Sequence, residues 1–444
     1  MNNAVIMSKI RILLFISLIL VCSCKKSGDE SSIVKAELTE EETIINNLLS
    51  LVGPETQPST EITSLVFSDD EKEMLNKGNA MAFDYLQSQQ NNKNIVYSPL
   101  SLCYILGMLS AGSNDATFSQ IRDYFGGVDK AGINNYFKKL YNGTRALDNL
   151  VTLSTANLIV INQRSNIINE AYPRALADYY SAVSLCVDFN KPSFVAQVLN
   201  KWVSLHTNDL IDKLIKAEDV YGLAILINTL YAKGAWKDSF IPTLTKKDAF
   251  SLATGKEIQI DYMTSLAFRT YGKKRKYSFI HLPIGKYQNH YALSIIFPNK
   301  DTSIDETLLS LKNQGWQNSI SDGSSGFIKL VMPKFSIEQD LKLSDYLKGK
   351  GITDAFDINR ADFSGITGSK SKKFAIGLVK QKSKIEIDEK GLEAASASAV
   401  VGYGLNPDDP QEIKETIIIN RPFVYVLSDI ESGLILFAGV FAGE

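Results

Sequence analysis

Residues 389–401 read EKGLEAASASAVV, and they follow a segment, 385–388, in which apolar and polar side chains alternate as in a β-strand. If the small residues continue this extended conformation, successive side chains lie on opposite faces of the chain. One face then carries Leu392, Ala394, Ser396, Ser398 and Val400, and the other carries Glu393, Ala395, Ala397 and Ala399. Side chains this small can slide between two neighbouring strands with little steric resistance. The stretch therefore favours a strand that enters a sheet.

Residues 402–410, GYGLNPDDP, combine glycine, proline and charge. This composition is typical of exposed backbone that a protease can draw into its cleft. The alternative is a plain linker before the last strands, and the composition alone does not decide between the two.

The rest of the chain predicts a mixed α and β fold without a regular alternation of strands and helices. Helices are predicted after a capping box formed by Ser68 and Glu71, over residues 102–112 and 195–215, and around residues 341–350. Apolar runs typical of strands occupy residues 151–161, 183–189, 223–231, 292–297, 326–332, 416–419, 423–427 and 434–441. The last two runs are expected to form a buried hairpin.

The composition is that of an ordinary folded protein. The 444 residues are 45% hydrophobic and 22% charged, and the 47 basic and 49 acidic residues nearly cancel, so nucleic-acid binding is not expected. The three histidines, His206, His281 and His290, form no metal-binding pair, and the sequence contains no phosphate-binding loop and no nucleophile motif. We expect no metal, no cofactor and no enzymatic activity.

Residues 1–23 are typical of an export signal. Lys9 and Arg11 precede the apolar run 12–21, which is too short to cross a bilayer as a stop-transfer helix. Residues 21–24, VCSC, resemble a bacterial lipobox, in which the signal is removed just before a cysteine that then carries lipid, so Cys24 is the candidate anchor. The alternative is an ordinary cleavage site after small residues. Residues 24–67 are expected to form an acidic, solvated tether.

Two cysteines follow the tether. Cys103 and Cys186 are both flanked by apolar residues. We expect two buried free thiols rather than a disulfide.

Residues 389–397, EKGLEAASA, closely resemble the hinge of the reactive loop in serpins, a family of serine protease inhibitors. Other segments resemble serpin signatures in serpin order: NIVYSPLSLCYILGMLSAG at 94–112, NKWV at 200–203, INTLYAKGAW at 227–236, MPKF at 332–335, GITDAFDINRADFSG at 351–365 and NRPF at 420–423. Together with the lipobox, they make the chain similar to a bacterial lipoprotein-type serpin. The resemblance implies an α+β serpin fold over residues 68–444. Such a fold has a mixed multi-sheet β core, surrounding helices and an exposed reactive-centre loop, here at about 389–414.

The resemblance also implies inhibition by a suicide mechanism. A target serine protease attacks the loop and forms an acyl-enzyme, and the cleaved loop then inserts into the main sheet as a new strand. Glu389 and Gly391 match the hinge, and the inserting strand is matched by Leu392, Glu393, Ala394, Ala395, Ser396, Ala397, Ser398 and Ala399. Leu392 is larger than the usual residue at the first inward position, so insertion is expected to be slowed rather than abolished. A monomer with a covalent protease partner is implied.

Counting from Glu389 as in family members places the reactive bond at Leu405–Asn406, to within one or two residues, and Tyr403 is the alternative. Either apolar residue favours chymotrypsin-like, elastase-like or subtilisin-like enzymes, because the pocket of a trypsin-like enzyme contains a buried carboxylate that an apolar side chain cannot pair. A cysteine protease is a further possible target.

Ser98, Ser101 and Asn228 match the shutter, a polar cluster under the main sheet, and Trp236 matches the end at which insertion begins. Where family members have a histidine, this chain has Gln381, whose amide can also donate and accept. A helix cap is a second and compatible interpretation of Ser98 and Ser101.

The resulting expectation is an exported inhibitor held on an outer membrane through Cys24, facing the periplasm or the exterior. Secretion without an anchor is the alternative location. A non-inhibitory binding protein, whose loop is cleaved without trapping a protease, is the alternative function. A surface hydrolase is disfavoured because the sequence offers no convincing pair of nucleophile and base.

Overall fold

Two β-sheets and the helices packed on them make up the part of the chain that the structure describes. The computed structural model describes residues 63–89, 93–165, 169–207, 209–392 and 412–443. These residues belong to one compact unit, Leu48–Glu444. In the described ranges no helix combines the length and the apolar character needed to cross a membrane.

The first two helices begin at the predicted caps. Helix α1 (Asp69–Ser88) starts at a complete capping box between Ser68 and Glu71. Helix α2 (Pro99–Gly112) starts at Ser98, whose hydroxyl accepts a bond from the Ser101 amide at 3.1 Å. The further helices are α3 (Asp115–Arg122), α4 (Lys130–Thr144), α5 (Ala171–Tyr180), α6 (Pro192–His206), α7 (Ile304–Gln314), α8 (Trp316–Ser319), α9 (Ser344–Gly349) and α10 (Ser364–Thr367).

The strands in chain order are β1 (Ile95–Tyr97), β2 (Thr152–Asn162), β3 (Ala182–Val187), β4 (Ala224–Ala235), β5 (Lys246–Ser251), β6 (Glu257–Lys273), β7 (Tyr277–Pro283), β8 (Tyr291–Pro298), β9 (Ser324–Pro333), β10 (Phe335–Lys342), β11 (Leu378–Ile387), β12 (Gly391–Leu392), β13 (Glu415–Ile418), β14 (Phe423–Asp429) and β15 (Ile435–Phe441). One sheet has the order β1-β15-β14-β8-β7-β6-β9-β13, with β5 paired to β6. The other, the main sheet, has the order β10-β11-β12-β4-β2-β3, with an additional pairing between β11 and β4.

Helix α2 forms the centre of the core. It packs on β4 of the main sheet and on β15 of the other sheet, and Leu102, Ile105, Leu106 and Leu109 are fully buried. Because α2 is apolar around most of its circumference, it is stable only when covered on all sides. Ser98 at its first turn therefore lies directly beneath the main sheet.

Two predicted helices are shorter than expected. The helix predicted over 195–215 ends at His206, because Asp209 takes a left-handed φ of 62° and the Ile211 amide donates to the Thr207 hydroxyl at 3.1 Å. The helix predicted around 341–350 begins only at Ser344, because the residues before it form β10 and pair with β11 over eight positions.

The two cysteines have different environments. Both are free, and Cys103 is buried, which raises the pKa of its thiol to about 12. Cys186 is exposed, so the expectation of two buried thiols is wrong for this residue. It lies on β3, which is the edge strand of the main sheet.

Packing on the domain begins before α1. The side chains of Leu65 and Phe67 are buried, and the Thr63 amide donates to the carbonyl of Ala146 at 3.0 Å. The last residues of the predicted tether, from Thr63 onward, therefore lie against the domain.

A buried ion-pair network joins the segment between α6 and β4 to strands β10 and β11 of the main sheet. The side chains of Lys380 on β11 and Asp219 in that segment are 1% and 0% exposed, and Lys380 Nζ lies 2.7 Å from Asp219 Oδ2. Asp219 also pairs with Lys342 on β10 at 2.7 Å. Lys382 Nζ donates to the carbonyl of Lys213 at 2.7 Å.

Burial alone would raise the pKa of the Asp219 carboxyl. Hydrogen bonds from Lys342, Lys380 and the Lys216 amide outweigh burial and lower this pKa to about 2. The stabilisation from this carboxylate is therefore complete above the ordinary Asp pKa and is lost as pH falls toward 2.

We expect Lys380→Met to lower the free energy of unfolding at pH 7 by about 3 kcal/mol, because it removes one partner of a buried ion pair. The difference between parent and variant should narrow as the pH approaches 2, and urea unfolding at pH 7 and pH 2.5 measures it. The matched control is Lys348→Met, since the pair between Lys348 and the exposed Asp345 should contribute less than about 1 kcal/mol. Equal losses from the two variants at pH 7 would contradict the assignment.

Candidate functional site

Strands β4 and β11 are neighbours along only part of their length. They pair in parallel at four positions, Ile225–Asn228 with Leu378–Gln381. Beyond this point β12 lies between them, with Leu392 opposite both Gly234 of β4 and Ile387 of β11. β12 is antiparallel to both neighbours, and among the described residues no strand pairs with the facing edges 229–233 of β4 and 382–386 of β11.

The turn from β11 into β12 is closed by its own aspartate. Asp388 Oδ1 accepts hydrogen bonds from the amides of Lys390 (2.8 Å) and Gly391 (3.1 Å). The Asp388 amide donates to the carbonyl of Gly391 at 3.2 Å. These bonds hold the chain in a tight turn between β11 and β12.

The segment after β4 binds all three carbonyls of this turn, and we call residues 236–240 the hinge clamp. The Trp236 amide donates to the carbonyl of Lys390 at 3.0 Å, and its indole Nε1 donates to the carbonyl of Asp388 at 2.8 Å. The Phe240 amide donates to the carbonyl of Glu389 at 3.0 Å. Trp236, predicted from the sequence to lie at the insertion end, thus contacts the turn directly.

Two side chains bind the Glu389 carboxylate. It accepts a hydrogen bond from the Thr245 hydroxyl at 2.7 Å, and its second oxygen lies 3.0 Å from Lys334 Nζ. Burial would raise the pKa of this carboxyl, but the bonds from Thr245 and Lys334 lower it below the ordinary Glu value. Glu389 therefore remains ionised near neutral pH and fixes the start of the segment.

Gly391 is required by a close approach of two backbones. Its φ is 156°, and a Cβ at this position would overlap the carbonyl oxygen of Gly234 and lie 2.8 Å from Ala235 Cα. Since both atoms belong to the backbone of β4, they cannot move aside as a flexible side chain could. Only glycine lets β12 pair with β4 here.

Leu392 is the first side chain to enter the core from this segment. It is 3% exposed and belongs to the hydrophobic core. The large apolar residue that departs from the family pattern is therefore accommodated between β4 and β11.

The predicted shutter residues lie together beneath the four paired positions. Gln381 Nε2 donates to the carbonyl of Ser98 at 2.8 Å, and Gln381 Oε1 accepts from the Ser98 amide at 3.4 Å. The Ser98 hydroxyl caps α2 through the Ser101 amide and donates to the carbonyl of Leu436 at 2.7 Å. Ser98 thus acts both as a cap and as part of the cluster.

Asn228 lies opposite Gln381 in the register. Its Nδ2 donates to Asn157 Oδ1 on β2, and Asn157 Nδ2 donates in turn to the carbonyl of Tyr180 at 2.8 Å. Asn228 Oδ1 is buried and has no hydrogen-bond partner among the described groups.

Several residues of the site were not found from the sequence. Asn157 could have been noticed as an amide inside an otherwise apolar strand. Thr245, Lys334 and Phe240 all contact Glu389, which lies far from them in the sequence. No sequence pattern indicates these contacts.

The predicted residues beyond the hinge lie outside the described residues. They are Glu393, Ala394, Ala395, Ser396, Ala397, Ser398, Ala399, Tyr403, Leu405 and Asn406, and the same holds for Cys24. Among the residues that are described, no group of three His, Cys, Asp or Glu side chains could hold a metal ion.

We expect Gly391→Ala to displace β12 from β4, since the added methyl group overlaps the Gly234 carbonyl. Hydrogen exchange of the amides at 234–240 and 388–392 should accelerate about tenfold, which corresponds to about 1.4 kcal/mol and lies within the usual cost of overpacking. Gly349→Ala is the matched control, because a Cβ there meets no atom within 4 Å. Unchanged exchange in Gly391→Ala would show that the contact does not hold β12.

Comparison with known proteins gives one consistent result. The sequence model of the family described as Serpin (serine protease inhibitor) matches residues 76–443. Mouse neuroserpin is 28% identical over 391 residues, which cover 85% of this chain and 92% of neuroserpin. Serpin48 of the insect Tenebrio molitor has a solved structure with a TM-score of 0.74 and 25% identity, covering 85% of this chain and 100% of that chain. Human thyroxine-binding globulin shares the fold at 21% identity, with a TM-score of 0.72 over 84% of this chain and 100% of that chain. This protein therefore belongs to the serpin family and has the serpin fold.

Proposed function

We propose that this protein inhibits serine proteases as a suicide substrate whose cleaved segment inserts between β4 and β11. The protease serine hydroxyl adds to the carbonyl carbon of Leu405, the bond to Asn406 breaks, and the serine proton leaves on the new Asn406 amine through the protease's own base. An ester then links protease and inhibitor. The observation that carries the proposal is that β12 lies antiparallel between β4 and β11.

The register supports continued insertion. Extending the pairing of β12 residue by residue brings Ser398 opposite Asn228 on one side and Gln381 on the other. Asn228 and Gln381 are already opposite each other. A strand over residues 392–401 would therefore be in register with both neighbours without any slip along either strand.

The side chains of this strand suit the space. Leu392 is buried in the core, and in a strand that continues β12 the residues on the same face as Leu392 would be Ala394, Ser396, Ser398 and Val400. Ser398 would reach the level of Asn228, and its hydroxyl would donate a hydrogen bond to the Asn228 Oδ1, which has no partner among the described groups.

The driving force is of the right size. About ten residues would gain ladder hydrogen bonds at a net ~1 kcal/mol each, or about 10 kcal/mol in all. The four parallel pairs that they replace belong to the slightly less stable arrangement.

The target class follows from the reactive residue. Leu405, or Tyr403 as the alternative, favours chymotrypsin-like, elastase-like or subtilisin-like enzymes, and a cysteine protease would form the equivalent thioester. The protein would have no enzymatic activity of its own.

A binding protein that traps no protease is the second candidate, because thyroxine-binding globulin has the same fold. The small residues at 394–399 argue against it, since a strand of this composition enters a sheet easily.

We further propose export and attachment to an outer membrane through lipid on Cys24, with residues 24–67 as the tether. Secretion without an anchor is the alternative.

We expect chymotrypsin, pancreatic elastase or subtilisin to form an adduct that survives denaturation. The chain from residue 24 with Cys24→Ser is incubated with each protease and analysed by denaturing gels and mass spectrometry. The expected products are the adduct and the peptide 406–444, which has 39 residues. Cleavage without an adduct would favour the binding protein, and a cleaved form that melts no higher than the intact protein would exclude insertion.

We expect Ala394→Arg to convert the inhibitor into a substrate, because an inward charge in the inserted strand costs several kcal/mol. The fraction of adduct against cleaved product measures the effect. Glu393→Arg is the matched control, since in the inserted strand this position would face outward between Lys233 of β4 and Glu386 of β11, which are both half-buried and charged. Equal adduct yields from the two variants would contradict insertion of this face.

A further inference from the structure

A buried arginine without a carboxylate partner lies beside the hinge clamp. The side chain of Arg269 on β6 is 2% exposed, and its Nε and Nη1 atoms have no hydrogen-bond partner among the described groups. Burial lowers the pKa of this guanidinium to about 10, although the nearby Asp238 acts in the opposite direction. Arg269 is therefore charged at neutral pH. Since an uncompensated buried charge lowers stability, the stability of the fold does not account for this residue.

The third nitrogen of the guanidinium binds the hinge clamp. Arg269 Nη2 donates to the carbonyl of Asp238 at 3.1 Å and to the hydroxyl of Ser265 at 3.0 Å. The guanidinium carbon lies 5.9 Å from the ring centroid of Phe240, which is within the range of a cation–π interaction. The Phe240 amide binds the carbonyl of Glu389. One residue thus separates Arg269 from the hinge.

The middle of the hinge clamp depends on this arginine. On one side the Lys237 amide donates to a carbonyl of β7 at 2.9 Å, and on the other side the Ile241 amide donates to a carbonyl of β6 at 2.8 Å. Between them, Arg269 is the only group of the described residues that binds the backbone of residues 238–239. The amides that hold the hinge lie on both sides of this stretch, so its position determines theirs.

We propose that Arg269 is a positioning residue for insertion, because it fixes the middle of the hinge clamp and thereby orients the turn 388–391 from which residues 393–401 enter the sheet. This inference rests on the proposed function, since the event that it controls is the insertion of the cleaved segment. Arg269 is buried within the domain and does not contact the protease. It therefore acts after the acyl-enzyme has formed.

The expected consequence is a change in how the acyl-enzyme is divided between two outcomes. Insertion traps the protease, whereas attack of water on the ester releases active protease and a cleaved inhibitor whose new carboxylate ends the segment. A hinge that is held in position inserts its strand before water attacks. A loosely held hinge inserts more slowly, and a larger share of the ester is hydrolysed.

The test is Arg269→Met, which keeps an unbranched side chain and removes the charge and the donors. We expect hydrogen exchange of the amides at 236–240 and 388–392 to accelerate about tenfold. With the protease that forms an adduct with the parent, the number of inhibitor molecules consumed per trapped protease should rise about fivefold. The rate at which the intact inhibitor is attacked should stay the same. The melting temperature should stay within a degree or two of the parent, because the variant also removes an unpaired buried charge.

A second variant and a control complete the series. Arg269→Lys keeps a charge and a donor for the Asp238 carbonyl but loses the planar group over Phe240, so both measurements should lie between those of the parent and of Arg269→Met. Arg275→Met makes the same substitution at an exposed position in the turn between β6 and β7. This control should match the parent in exchange and in stoichiometry.

The results distinguish a failure of this inference from a failure of the proposed function. A parent that forms no adduct overturns the proposed function. A parent that forms adducts while Arg269→Met keeps the stoichiometry of the control overturns the role of Arg269 alone. A lower melting temperature of Arg269→Met together with a slower attack on the intact inhibitor, and no recovery in Arg269→Lys, would assign Arg269 a merely structural role and also overturn the inference.

Discussion

The incomplete pairing of β4 and β11 is the constraint on which the rest of the site depends. The two strands share four parallel pairs and then separate around β12, so among the described residues no strand pairs with the facing edges at 229–233 and 382–386. Strand edges inside a sheet are strong hydrogen-bonding surfaces that favour an added strand. At β12 the two strands are one strand apart, and the residues that follow, 394–399, have small side chains. Strand addition at this position needs no rearrangement of register.

The hinge is held by many bonds of moderate strength rather than by one strong contact. Asp388 closes the turn, the hinge clamp binds its three carbonyls, and Glu389 bonds to Thr245 and Lys334. Each neutral bond contributes on the order of 1 kcal/mol, so several such bonds together define the turn. Gly391 lets the backbone lie against β4, and Leu392 fills the space below. The hinge therefore fixes the position and the direction of β12 between β4 and β11.

Sequence patterns predicted those features that depend on neighbouring residues. The capping box at Ser68, the buried α2, the final hairpin and the hinge motif each depend on short-range order and were found, and the serpin resemblance extended them to the whole fold. Partners brought together by the fold could not be found in this way. In the sequence, Asn157, Thr245 and Asp219 look like ordinary polar residues. Their partners become neighbours only when the chain folds, because those partners lie far away in the sequence. Cys186 was misjudged because flanking apolar residues indicate a strand but not whether that strand is at an edge.

The ion-pair network opposes separation of β4 and β11 at the four positions where they pair. Lys380 and Lys342 lie on the β11 side of the seam, whereas Asp219 lies five residues before β4 on the other side. Inserting a strand separates the two sides by about 4.8 Å, which breaks both pairs unless the segment before β4 moves. Leaving a buried carboxylate without its ion-pair partners costs about 3–5 kcal/mol. In the proposed mechanism this cost arises only when residues 398–401 enter between the four paired positions, so the network would not oppose the entry of residues 393–397. The gain of about 10 kcal/mol from the complete ladder exceeds the cost, and it becomes available only when cleavage frees the far end of the segment. In the proposed mechanism the network therefore contributes a free-energy barrier between the intact and the inserted state, and the complete ladder is stable enough for insertion to proceed.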